Sequence, residues 1–291
     1  MKQNHSSIVN SFCKLFVLIC LLLQTLILKY ASGKDVNSIV QAGIILTPAE
    51  SKRLIAKAVA NMPIVQAALK NGKVIITKGT TNSYIAEEIL NITIKPGALV
   101  SGMIIPQNAK DPFSGTASMP EIILVRGKQS KMTLNEAMQQ LKPGDIVIKG
   151  ANALDYQNKT AAVMIGAPDG GTTGKIMPYI TARKAHLIIP VGLEKQISGN
   201  VVEMHLKMRE PLESISHKAP SMFLLTGHII TEIESIKILV ADLEVFQAAA
   251  GGVGGAEGSI WLVVRGDKNS VEKAIKIAKQ VQGEPPFGKE K

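Results

Sequence analysis

Cysteine is almost missing from this chain. Cys13 and Cys20 are the only two, and both lie near the N-terminus. The body therefore has neither a disulfide framework nor a thiolate metal site. The histidines His5, His186, His205, His217 and His228 fall in no HxxH or HExxH spacing, so zinc chemistry has no ligand set and no metal is expected. Aromatic residues make up only 4% of the chain, too few for a platform on which bases stack. A dense basic run is lacking as well. The net charge is +10, but the lysines are scattered, as in ALKNGK, RGKQSK and KIAKQ. Specific nucleic-acid recognition is not expected; a mild positive excess suits a small anion.

What is present points to a substantial core. The chain is 46% hydrophobic and 19% charged over 291 residues, enough for one large domain or one domain with a small appendage. At the N-terminus, Leu15 to Leu28 is apolar except for Gln24 and Thr25. Lys2 and Lys14 precede this run, and Ala31, Ser32 and Gly33 follow it. A basic start, a short apolar stretch and small residues beyond it match a secretory signal. A full bilayer span takes roughly 20 apolar residues, so membrane association through residues 14–30 would require tilt or a snorkelling Lys29. Three readings of residues 1–33 stand side by side: a cleaved export signal, a retained anchor, or a start-site artefact. The first two make the protein secreted or membrane-anchored, and the third makes it cytoplasmic.

Beyond that segment, helices and strands alternate. LTPAESKRLIAKAVANM at 46–62 predicts a helix with Thr47 as cap, Pro48 in the first turn and Glu50 closing a capping box. Met62-Pro63 interrupts it, and a second short helix ends at Gly72. KVIIT at 73–77 predicts a strand, followed by a helix on which Tyr84, Ile85, Ile89 and Leu90 recur. Residues 91–118 read as an irregular excursion over the surface. EIILV predicts a strand, and KMTLNEAMQQL a helix capped by Thr133 with Glu136 three residues on. DIVI, AAVMIG and HLIIPV are further strands. The strands are short, rich in Ile and Val, and lack strict alternation, which predicts an α/β fold with a mostly parallel, Rossmann-like sheet covered by helices on both faces. Residues 34–200 read as an α/β ligand-binding core. Residues 201–291 are the rest of that core or a small α+β subdomain, ending in strand SIWLVVRG and an amphipathic helix.

Three small-residue loops follow predicted strands: Lys78-Gly79-Thr80-Thr81-Asn82, Lys149-Gly150-Ala151-Asn152, and Asp169-Gly170-Gly171-Thr172-Thr173-Gly174-Lys175. In a parallel sheet, ligands bind off the carboxyl ends of the strands. Amides at a helix start, beside threonine hydroxyls and with no bulky side chain in the way, receive anions. Lys78, Lys149 and Lys175 would add charge at the same rim. GGTTGK lacks P-loop spacing, and GGVGGAEG at 251–258 precedes its strand instead of following one, which fits a wide turn. No cofactor is expected.

Together these pieces resemble the superfamily of ribose-5-phosphate isomerases, glucosamine-6-phosphate deaminases, sugar-responsive regulator domains and coenzyme A transferases, over roughly residues 70–200. Gly79, Thr80 and Thr81 look like that group's phosphate-receiving loop. DIVIKGANALD is similar to the isomerases' Asp-Gly-Ala-Asp-Glu signature through Gly150 and Ala151. Lys149, Asn152 and Ala153 stand where that signature carries its acids, and only Asp155 keeps one further along. Isomerisation needs a positioned base, so the departure removes the obvious one. The resemblance implies Asp155 and Glu194 as acid–base candidates, and Glu194 or Glu257 as a nucleophile, because the transferases use a glutamate in that role. The residues alone equally allow Asp155 to cap the next element. Lys195, beside Glu194, would approach the same cleft. The expected ligand is a small phosphorylated or carboxylated metabolite, in an isomerase- or transferase-like enzyme or in a non-enzymatic sensor.

Overall fold

Thr47 opens the first helix in the computed structural model, which describes residues 39–215 and 219–289. Its amide donates to Glu50 Oε2 at 2.8 Å, and its hydroxyl accepts from the Glu50 amide, closing the expected box. In chain order the elements are β1 (Val40–Leu46), α1 (Pro48–Asn61), α2 (Pro63–Asn71), β2 (Lys73–Ile76), α3 (Thr80–Leu90), β3 (Ile122–Val125), β4 (Lys128–Gln129) and α4 (Leu134–Gln139). Then come β5 (Ile146–Ile148), β6 (Ala153–Asp155), β7 (Thr160–Ile165), α5 (Gly171–Arg183), β8 (His186–Pro190) and α6 (Val201–Lys207). The chain continues through β9 (Ser221–Leu225), β10 (His228–Ile230), α7 (Glu232–Leu239), β11 (Glu244–Ala250), β12 (Ile260–Gly266) and α8 (Lys268–Val281).

The main sheet has six strands in the order β10-β8-β5-β2-β3-β4. The first four run parallel, and β3 and β4 close one side antiparallel. The α/β reading holds, with a mixed sheet. Every residue of β2 and β5 is buried, which explains why these runs show no in–out alternation. Val74, Ile76, Ile146, Ile148 and Ile188 pack into one core with Ile55 and Val59 of α1 and Ile85 of α3. Ile75, Val147, Leu187 and Ile189, on the other face, are equally buried.

AAVMIG does not join that sheet. It becomes β7 of a separate antiparallel sheet, β6-β7-β9. The short link after Asp155 is too brief for a parallel crossover and makes a hairpin instead. ANALD is therefore partly a strand, in addition to ending one. Residues 91–118 correct another expectation. They form no helix or strand, yet Ile94, Ala98 and Leu99 are buried in the core. A third sheet, β1-β12-β11, joins the predicted SIWLVVRG strand to β11 across the glycine-rich turn, where the Gly251 amide donates to the Ser259 carbonyl at 2.8 Å. Residues 41–291 make one compact unit. The N-terminal readings fall on residues 1–33, outside the described residues. Among the described residues no helix is long and apolar enough to cross a membrane.

Candidate functional site

The loops after β2 and β5, the turn after β8 and the start of α5 share a cavity of about 650 Å³, within the range of small-molecule sites. Lys78, Gly79, Thr80, Thr81 and Asn82 line it from the first loop, and Lys149, Gly150 and Asn152 from the second. Gly170, Gly171 and Thr172 line it from the third. Residues 101–104 and the end of β7 complete the wall.

Each loop is held by its own hydrogen bonds. Thr77, just past β2, donates its hydroxyl to the Ile148 carbonyl at 2.9 Å. Buried Asn82 donates Nδ2 to the Thr77 carbonyl at 2.8 Å and to the Ile148 carbonyl at 3.3 Å. These bonds clamp the ends of β2 and β5 together beneath the cavity. Asn82 Oδ1, also buried, has no partner in the protein. α3 starts behind Gly79 with no side-chain cap, so the first amides of its opening turn have no intrahelical acceptor. Gly79 has an extended φ of 162°, and a Cβ there would stand 3.6 Å from Asn82, an ordinary contact. The backbone does not demand glycine; its effect is to keep the cavity wall bare.

The third loop differs. Gly170 and Gly171 have φ of 76° and 56°, a region that side chains rarely adopt. The turn brings the uncapped start of α5 to the cavity, while the Asp169 carboxylate accepts from the Gly171 amide at 2.8 Å. Asn152 closes the middle loop: its Oδ1 accepts from the Met164 amide at 3.0 Å, fixing β7 against the wall.

The lining carries four lysines, Lys52, Lys78, Lys149 and Lys195, and no acid or histidine. Lys78 Nζ donates to the Ser118 hydroxyl at 2.7 Å, and Lys195 Nζ to the Ala151 carbonyl at 2.9 Å. Lys52 pairs with Glu194 Oε1 at 3.1 Å and donates to the Pro48 carbonyl at 3.0 Å. Lys149 Nζ has one long bond, 3.3 Å, to the Gly150 carbonyl. Burial, helped by the Lys195 charge, pushes Lys149 down to about 8. Burial also lowers Lys195, with Glu194 opposing.

Behind Lys52 lies a second feature. Glu232, the first residue of α7, is fully buried; its Oε2 accepts from the Leu193 amide at 2.9 Å. Glu232 Oε1 and Glu194 Oε2 have no partner. A Cβ on Gly192 would collide with the Glu194 carboxylate and stand 3.1 Å from Glu232 Oε1, so both carboxyl groups flank that glycine. Burial and then the Glu194 charge push Glu232 up to about 7.

The acid–base candidates stand elsewhere. Asp155 ends β6 and does not line the cavity. Its Oδ2 accepts from Asn158 Nδ2 at 2.8 Å and its Oδ1 from the Asn158 amide at 3.0 Å, closing the hairpin turn. Those bonds hold its carboxyl below the usual range. Glu194 lies behind the wall, its charge turned to Lys52, whereas the adjacent Lys195 does line the cavity. Lys175 is exposed on α5 and takes no part in the lining. Its rim position is filled from elements the sequence reading did not connect: Lys52 comes from α1, where nothing local marks it. Glu232 had a readable signal. TEIE is a capping box, in which the Thr231 hydroxyl accepts from the Ile233 amide at 3.1 Å and Glu234 from the Thr231 amide at 3.1 Å. His186 and His228 begin β8 and β10, at the opposite ends of those strands from the cavity, with Nε2 of His228 3.3 Å from Nδ1 of His186.

Compared with protein-family models, with curated proteins and with solved structures, the chain matches none.

Proposed function

We propose that this cavity binds a small metabolite bearing a phosphate or carboxylate, in a Rossmann-like unit of the kind found in sugar-phosphate isomerases and coenzyme A transferases. The observation that carries the reading is the charge balance of the lining: four lysines share the cavity with no acid, and only Lys52 has a carboxylate partner. Burying uncompensated cations is costly, and an anionic ligand removes that cost on binding. The uncapped start of α3 adds backbone donors, whereas the first amide of α5 is already taken by the Asp169 carboxylate. The anion sits against Thr80 and Thr81, and Lys149 and Asn152 orient the rest of the molecule.

Isomerase chemistry at a carboxylate base fits less well, because neither Asp155 nor Glu194 lines the cavity. That favours a second reading, a binding module or sensor without turnover. A thermal-shift panel of sugar phosphates, coenzyme A esters and nucleotides tests both. A ligand that raises the melting temperature and is recovered unchanged supports the sensor; one that is converted supports the enzyme. A panel without any shift removes the anion site altogether.

A further inference from the structure

We propose that Lys149 is an amine nucleophile that captures the carbonyl carbon of an anionic aldehyde or ketone held in this cavity. The inference rests on the anion-site reading and names the substrate class for it. Lys149 is the first residue after β5, and its side chain lines the cavity. Among the lining lysines it is the least engaged. Lys52 is paired with Glu194 at 3.1 Å, Lys78 is bonded at 2.7 Å and Lys195 at 2.9 Å, whereas Lys149 has only its long bond to the neighbouring carbonyl. No carboxylate in the lining holds it as an ammonium, and the charge of Lys195 acts against that form. Desolvation beside a second cation is one arrangement that makes a lysine nucleophilic near neutral pH. With Lys149 near 8, about one molecule in ten carries the free amine at pH 7, against roughly three in ten thousand for an ordinary lysine.

The step balances without an added oxidant or reductant. The Nζ lone pair attacks the carbonyl carbon, and the C=O π electrons move to oxygen to form a carbinolamine. The nitrogen lone pair then expels that oxygen, which leaves as water with both amine hydrogens, so a C=N bond replaces C=O. Protonation from solvent gives the iminium. The phosphate or carboxylate of the same molecule stays on the α3 amides and Lys78, so the anion site positions the carbonyl.

The probe is pyridoxal 5′-phosphate added to the full-length chain, followed by sodium borohydride and peptide mass mapping. Pyridoxal, which lacks the phosphate, runs in parallel, and inorganic phosphate serves as competitor. The expected result is an adduct concentrated on Lys149, at least about tenfold over exposed Lys175, slowed by inorganic phosphate and much weaker with pyridoxal. Lys149→Arg should lose the adduct, whereas Lys175→Arg, at an exposed lysine outside the lining, should leave it in place. Adducts spread evenly over surface lysines, or none at Lys149, would overturn the inference. If phosphate still raises the melting temperature in that case, the anion site stands and only the amine role falls. An adduct at Lys149 that phosphate does not slow would overturn the anionic half.

Discussion

Lys52 and Arg53 are neighbours on α1, yet their side chains meet opposite surroundings. Arg53 donates to Glu87 at 2.7 Å, Glu88 at 3.1 Å and Glu284 at 3.0 Å, and its guanidinium lies 4.4 Å from the centre of the Tyr84 ring. Phe287 packs edge-on against Tyr84, with ring centres 5.8 Å apart, so the cluster ties α1 and α3 to the C-terminal tail. Lys52 turns to a cavity where the ratio is reversed. There, four lysines share the lining, and a single largely buried carboxylate, Glu194, answers one of them from behind the wall. Carboxylates in excess make Arg53 a clamp, because both terminal nitrogens of its guanidinium are held by carboxylates within the folded chain. Cations in excess leave the cavity incomplete, and an incomplete site of this sign is what an anion would finish.

The two regions should therefore respond oppositely to the loss of a cation. The largest effect is expected at Arg53→Met, which leaves Glu87, Glu88 and Glu284 together with only Lys57, 3.4 Å from Glu88, as counter-charge. Breaking a largely buried ion pair costs about 3–5 kcal/mol; a loss under about 1 kcal/mol by urea denaturation would reduce Arg53 to a surface contact. Phosphate affinity should not change.

Glu232→Gln comes next. The folded-state value of Glu232 is raised, so the folded chain binds the extra proton and stability falls as pH rises from 4.5 to about 7. Replacing the acid should stabilise by roughly 2–3 kcal/mol at pH 8 and by nothing near pH 4. A gain that does not depend on pH would mean that burial does not raise Glu232 in the folded chain.

Lys149→Met should behave in the opposite sense to Arg53→Met. The lowered value of Lys149 means that its charge strains the fold below about pH 8 and that this penalty fades as pH rises toward 10.5. The variant should gain roughly 2–3 kcal/mol at pH 7, lose that advantage above pH 10, and bind phosphate about tenfold more weakly. A variant as destabilised as Arg53→Met would place Lys149 among the structural cations. Thr80→Ala with Thr81→Ala should have the smallest effect, a few-fold loss of phosphate affinity, about 0.5–1 kcal/mol, with the melting temperature nearly unchanged. Titration calorimetry separates that outcome from general destabilisation.

Much of the scaffold was legible because its causes are local. Thr47 with Glu50, and Thr133 with Glu136, mark helix starts within four residues, and both boxes form. The runs KVII, IVI and HLIIP are buried strands for the same local reason. AAVMIG is apolar too and pairs elsewhere, because partner choice depends on a hairpin turn and not on the strand's own residues. The site divides in the same way. The three loops could be read one at a time, but their meeting at one cavity with Lys52 is a property of the packed chain. Lys175, adjacent to the third loop in sequence, points away from the lining, whereas Lys52, on a separate helix, belongs to it.

The most direct measurement compares the melting temperature in rising sodium phosphate with that in sodium chloride at equal ionic strength, for the full chain and for Lys149→Met. A saturable rise with phosphate, about 2.7 kcal/mol at a hundred times the dissociation constant, lost or much reduced in the variant, is the predicted result. Identical curves in the two salts would mean that screening alone stabilises the lysines, and that no anion completes the cavity.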